Sequence, residues 1–138
     1  MNEITSKTKQ TIKVSCCIII YENKALILRR DHNGPRNGLW EFPGGKEENE
    51  TAVECAIREV YEEIEYKIDK IKFIAEVFKE YKDINIKLSA YVSYSGRIFR
   101  PKLKVHDKYK WELISQLDKS IFPKANQDII DILINNGY

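Results

Sequence analysis

The chain has 138 residues, 43% of them hydrophobic and 32% charged, which suits one domain whose core needs neither disulfides nor a structural metal. Lysine and arginine together number 23 against 21 acidic residues, a net charge of +2, so there is no broad basic footprint for duplex nucleic acid, and small anions stay open as ligands. Cys16, Cys17 and Cys55 lie in apolar segments without a CxxC pair, which reads as buried packing in a reducing cytoplasm rather than a disulfide or zinc site.

Residues 1–10 are polar and read as a flexible segment, and 11–138 as a single domain. "TIKVSCCIII" and "KALILRR" read as two strands joined through a turn at Glu22, Asn23 and Lys24. The apolar run from Val14 to Tyr21 is too short to span a bilayer and has no small-residue cleavage site after it, so neither a signal peptide nor an anchor is expected. "DHNGPRNG", residues 31–38, is a loop leading into a short strand over 39–42.

A helix is expected from near Thr51 to about Glu65, with Val53, Ala56, Ile57, Val60 and Ile64 forming an apolar stripe toward a sheet. "KIKFIAEVFKEY" and "INIKLSAYVSY" are rich in β-branched and aromatic residues and read as strands joined across "YKDIN". A loop containing Pro101 precedes a short strand over 109–113, and "PKANQDIIDILI" closes the chain as an amphipathic helix. This order of elements predicts an α/β domain with a mixed sheet between helices.

The densest chemistry lies at 41–66, "EFPGGKEENETAVECAIREVYEEIEY". Glu59, Glu62 and Glu63 stand at i, i+3 and i+4, so a helix places them on one face, where like charges repel. Hard divalent cations bind such carboxylates while sharing the rest of their shell with water and phosphate oxygens. The plainer reading is a solvated acidic face in which Arg58 pairs with Glu62. The context favours a site, because Pro43, Gly44 and Gly45 form a corner that lets backbone approach a phosphate closely, and Arg58 is a fixed cation able to orient a carboxylate.

Gly45, Glu50, Arg58, Glu59, Val60, Glu62, Glu63 and Tyr66 follow one another as in the Nudix box, and the segment resembles that family. Two departures stand out: only four residues separate Gly45 from Glu50, and Glu65 occupies the position of the box's last glycine. The resemblance extends to MutT-type pyrophosphohydrolases through the strand ending in Arg29 and Arg30, "WEFPGGK", Trp111 and "FPKAN". It implies an α/β/α sandwich and cleavage of a nucleoside triphosphate to monophosphate and pyrophosphate, with Arg58, Glu59, Glu62 and Glu63 catalytic. The cofactor it implies is Mg²⁺, or Mn²⁺, held by Gly44, Glu59, Glu62 and Glu63.

For the substrate it implies Arg30, Phe42, Gly45, Lys46, Tyr81 and Asn126, although Phe42 also reads as core, Arg30 and Lys46 as surface cations, and Asn126 as an N-cap. The expected substrate is 8-oxo-dGTP. (d)CTP or a methylated dCTP is the alternative, and RNA decapping or non-hydrolytic nucleotide sensing ranks below. The expected protein is cytoplasmic, a monomer or weak homodimer, with no membrane or stable nucleic-acid partner. Family members often carry a further glutamate six residues before the tryptophan; that position is Val105 here, and the general base stays open among His106, Asp107 and Glu80.

Overall fold

The structure, a computed structural model, describes residues 9–30 and 38–138. The expected flexible segment therefore falls almost wholly outside the described residues, as does most of the 31–38 loop. Within them the strands are β1 (Thr11–Tyr21), β2 (Lys24–Arg30), β3 (Trp40–Glu41), β4 (Gly44–Lys46), β5 (Lys72–Glu80), β6 (Asn85–Tyr94) and β7 (His106–Leu113). The helices are α1 (Ala52–Ile64) and α2 (Lys124–Asn135).

One seven-stranded sheet runs β3-β2-β1-β6-β5, with β4 added to β1 and β7 to β2. It is mixed, because β1 and β6 are parallel from Thr11↔Asn85 to Ile20↔Tyr94 while the other pairs are antiparallel. The continuous apolar run of β1 follows from burial on both faces. Cys16, Ile18 and Ile20 join the core beneath α2, and Cys17 and Ile19 join the one beneath α1. All three cysteines are free and buried. No helix among the described residues is long and apolar enough to cross a membrane.

The β1–β2 turn follows the expected hairpin, with Glu22 and Asn23 both at positive φ, as a tight hairpin turn requires. Several expectations need correction. The glycine corner is itself a strand, because Gly44–Lys46 pairs with Val14–Cys16 of β1. The strand expected over 109–113 begins at His106, and the one expected over 39–42 shortens to Trp40–Glu41. Ile57 is 37% exposed, since α1 buries the face carrying Cys55, Ala56, Val60, Glu63 and Ile64. Asn126 does not cap α2: Pro123 holds that position and Asn126 sits inside the first turn.

The ends of α1 show why it stops and starts where it does. Thr51 accepts from the Glu54 N–H while the Glu54 carboxylate accepts from the Thr51 N–H, a reciprocal capping box. At the other end Glu65 takes the left-handed conformation itself, φ 55°, and donates its N–H to the Tyr61 carbonyl. A residue with a Cβ costs about 1 kcal/mol there, offset in part by Lys102 and Lys104 flanking its carboxylate.

Thr51→Ala is expected to lower stability by about 1 kcal/mol in urea denaturation, the usual cost of a lost N-cap. An unchanged midpoint would show that the cap does not hold this helix end.

Candidate active site

β4 lies directly against α1, and the absence of side chains at its two glycines is what permits it. A Cβ on Gly44 would run into the Ser15 carbonyl and Cys16, and one on Gly45 would run into the Glu59 carboxylate. The Gly44 N–H donates to Glu63 Oε1 at 3.1 Å, tying the corner to the helix's inner face. After the corner, Asn49 takes positive φ, a conformation asparagine tolerates, and the Glu48 N–H donates to Glu50 Oε2 at 3.1 Å. The four-residue loop thus closes with Glu50 held by the Glu48 N–H and by Arg58.

Arg58 is the hub of the acidic face. Its Nε and Nη2 reach Glu50 at 2.9 and 2.6 Å, its Nη1 donates to both Glu59 at 2.9 Å and Glu62 at 3.0 Å, and its Nη2 also meets the Lys46 carbonyl at 3.1 Å. The i, i+4 pair with Glu62 is present, yet it is one branch of a larger network. The Arg58 hydrogen bonds hold Glu50 down to about 2. Glu59 moves the other way, because burial outweighs its bond to Arg58.

Glu63 stands apart from that hub. Burial, reinforced by the charge of Glu41, pushes it up to about 8. Glu41, Glu63 and His106 bring ligand atoms within 4.8 Å of one another, the one such group of three or more His, Cys, Asp or Glu side chains among the described residues. Burial also pushes Glu41 upward, but hydrogen bonds from His106 and Arg30, each at 2.7 Å, outweigh it and leave the carboxyl below its ordinary value. Glu41 was not singled out in the sequence. Lying between Trp40 and Phe42 in a two-residue strand, it reads as an outward polar residue. Val105 is 57% exposed, and it is the next residue, His106, that turns inward.

The remaining candidates converge on one cavity of about 520 Å³, lined by Arg30, Phe42, Gly45, Lys46, Tyr81 and Asn126, with Glu41 and Gly44 at its junction to the acidic face. Phe42 is both core and cavity wall, packing its ring 5.6 Å from that of Phe122. The Tyr81 hydroxyl accepts the Ala125 N–H, one of the first amides of α2. Asn126 is 8% exposed, and no side-chain hydrogen bond among the described residues uses its amide.

The donor set fits a hard divalent cation. Glu59, Glu62 and Glu63 follow one another along the end of α1, but Glu62 is exposed and Glu63 buried, and their oxygens are not all drawn within 4.8 Å of one another as those of Glu41 and Glu63 are. Arg58 and Arg30 do not neutralise all the charge gathered by these, Glu41 and Glu50. Glu63 is raised chiefly by its burial, with the charge of Glu41 adding to it.

The NUDIX domain family pattern matches residues 11–131. A protein of Buchnera aphidicola subsp. Schizaphis graminum named 8-oxo-dGTP diphosphatase is 35% identical over 114 residues, 82% of this chain and 85% of that one. A protein of the same name from Buchnera aphidicola subsp. Acyrthosiphon pisum is 31% identical over 103 residues, 74% of this chain and 82% of that one. The crystal structure of a MutT protein from Methanosarcina mazei Go1 superposes with a TM-score of 0.82 at 24% identity, covering 96% of this chain and all of that one, and shares the fold.

Because the folded-state pKa of Glu63 lies above the unfolded value of 4.5, its contribution to stability is full at low pH and is lost as pH rises through about 8. In cation-free protein, Glu63→Gln is expected to raise the melting temperature at about pH 9 and to leave it nearly unchanged at about pH 5. An equal change at both would contradict the assignment.

Proposed function

This chain belongs to the Nudix hydrolase family, and we propose that it cleaves a nucleoside triphosphate, 8-oxo-dGTP foremost, to the monophosphate and pyrophosphate with the help of Mg²⁺ or Mn²⁺. The observation that carries the reading is the shared corner. Gly44 and Gly45 line the cavity on one side and touch Glu63 and Glu59 on the other, so a base in the cavity leaves its phosphates over the acidic face. A cavity of about 520 Å³ falls in the usual range for a small-molecule ligand.

In this reading Gly44, Glu59, Glu62 and Glu63 hold the cation. A bound divalent cation supplies neutralisation of phosphate charge and acidifies bound water. The chain's own groups do the positioning. Arg58 fixes the carboxylates of Glu50, Glu59 and Glu62, Lys46 stands at the cavity lip for an outer phosphate, and Phe42 gives the base an apolar wall. Water adds across the bridge between the first and second phosphates, one phosphorus–oxygen bond forms and one breaks, and pyrophosphate leaves. The protein acts in the cytoplasm as a monomer or weak homodimer.

The base preference rests on Asn126. Guanine offers two acceptors, N7 and O6, on one edge, whereas in the oxidised base N7 carries a proton and becomes a donor beside O6. An asparagine amide has one acceptor and one donor and matches that edge; against normal guanine its carbonyl would face a lone pair. An unmatched pair is worth roughly 1 to 3 kcal/mol, or about tenfold to a hundredfold in kcat/KM.

A nucleotide panel scored for pyrophosphate release tests both parts. Release is expected with Mg²⁺ and not in EDTA, Glu59→Gln should cut turnover by roughly a hundredfold or more with the fold intact, and Asn126→Ala should flatten the preference by losing the oxidised substrate. Unchanged turnover in EDTA would end the metal mechanism. Hydrolysis of dCTP far above 8-oxo-dGTP would move the assignment to a cytidine triphosphate.

A further inference from the structure

Of the group Glu41, Glu63 and His106, only Glu63 has a part in the mechanism above; Glu41 and His106 stand behind Arg30. His106 opens β7 with its side chain fully enclosed, at 0% exposure. It lies opposite Arg30 at a slip in register, for Arg29 pairs with Lys108 and Arg30 with His106, leaving Asp107 as the extra residue. Such a bulge re-aims the side chains beside it. Asp107 turns to the exposed side and pairs with the Arg29 guanidinium, while His106 turns inward to Glu41.

A single carboxylate oxygen, Glu41 Oε2, meets both Arg30 Nη2 and His106 Nε2, each at 2.7 Å. With Glu41 ionised that oxygen only accepts, so His106 Nε2 carries the proton and donates. The consequence is a chain of contacts from His106 through Glu41 to Arg30, and of the three only His106 does not line the cavity. His106 Nδ1 is buried with no hydrogen-bond partner among the described residues. An unpartnered buried nitrogen is a cost that an apolar side chain of the same size would not carry. Packing alone therefore does not account for a histidine here; the Nε2 donor does.

We propose that His106 is a positioning residue. By anchoring Glu41 it holds the Arg30 guanidinium in the cavity wall in the orientation that meets the substrate, and so sets substrate affinity rather than the rate of the chemical step. The inference rests on reading the cavity as the nucleotide site.

The test is steady-state kinetics with Mg²⁺ on the best triphosphate of the panel. His106→Leu removes the donor at similar volume and is expected to raise KM roughly tenfold, the size of one hydrogen bond to a charged group, with kcat within about twofold. His106→Gln, whose amide can donate to Glu41, should restore most of the affinity. In an Arg30→Ala background His106→Leu should change KM no further, because its effect passes through Arg30. Should His106→Leu not fold, His106→Asn, polar but too short to reach Glu41, carries the same expectation. An unchanged KM in a protein that still hydrolyses the triphosphate would overturn this inference alone, as would a KM effect that persists in the Arg30→Ala background. Wild-type protein that hydrolyses no triphosphate would overturn the nucleotide reading and this inference with it.

Discussion

Between Gly45 and Glu59 there is no room for a side chain, and the rest of the site depends on that closeness. β4 must add to β1 and still pass beneath the acidic face of α1. The lack of a Cβ at Gly44 avoids the backbone of Ser15 and Cys16, and at Gly45 it leaves the Glu59 carboxylate where it lies. With the strand so placed, the Gly44 N–H is delivered to Glu63 and the Lys46 carbonyl to Arg58, so the strand and helix are joined by polar contacts at both ends of the corner. The cavity opens on the opposite side of the same residues. Binding volume and acidic face are thus two sides of one three-residue strand.

The electrostatics divide along the same line. On the outer side Arg58 gathers Glu50, Glu59 and Glu62, and its bonds hold Glu50 well down, to about 2. On the inner side Glu63 is buried, with one backbone donor and a second carboxylate, Glu41, as neighbour, and burial first and the Glu41 charge second push it up to about 8. The same acidic face therefore carries carboxylates displaced in opposite directions, Glu50 from the loop before α1 and Glu63 from the last turn of the helix. A cation bound at the face would favour the ionised form of Glu63 and offset the charge of Glu41 beside it.

How far the sequence reveals this depends on whether a feature is periodic. α1 was legible because its apolar and acidic positions repeat at helical spacing, and its cap, Thr51, sits two residues before the apolar stripe begins at Val53. The sheet was legible from β-branched runs and turn residues. β4 was hidden because a glycine pair reads as a corner, and its strand character comes only from pairing with β1. Glu41 was hidden by its setting, an acid between two aromatics whose direction is fixed by the distant partners Arg30 and His106. His106 points inward only because of a bulge that nothing in the local sequence signals. Ile57 fits the apolar stripe yet stays at its edge, since the helix rolls to bury Glu63 beside the glycines.

The central claim, that the glycine approach arranges the carboxylates of α1 to hold a divalent cation, is tested most directly by Mn²⁺ binding to Gly45→Ala, followed by electron paramagnetic resonance in the absence of nucleotide. With the circular dichroism spectrum unchanged, the added methyl group should displace the Glu59 carboxylate and weaken Mn²⁺ binding by roughly tenfold to a hundredfold relative to wild type. A folded Gly45→Ala protein that binds Mn²⁺ as tightly as wild type would contradict it.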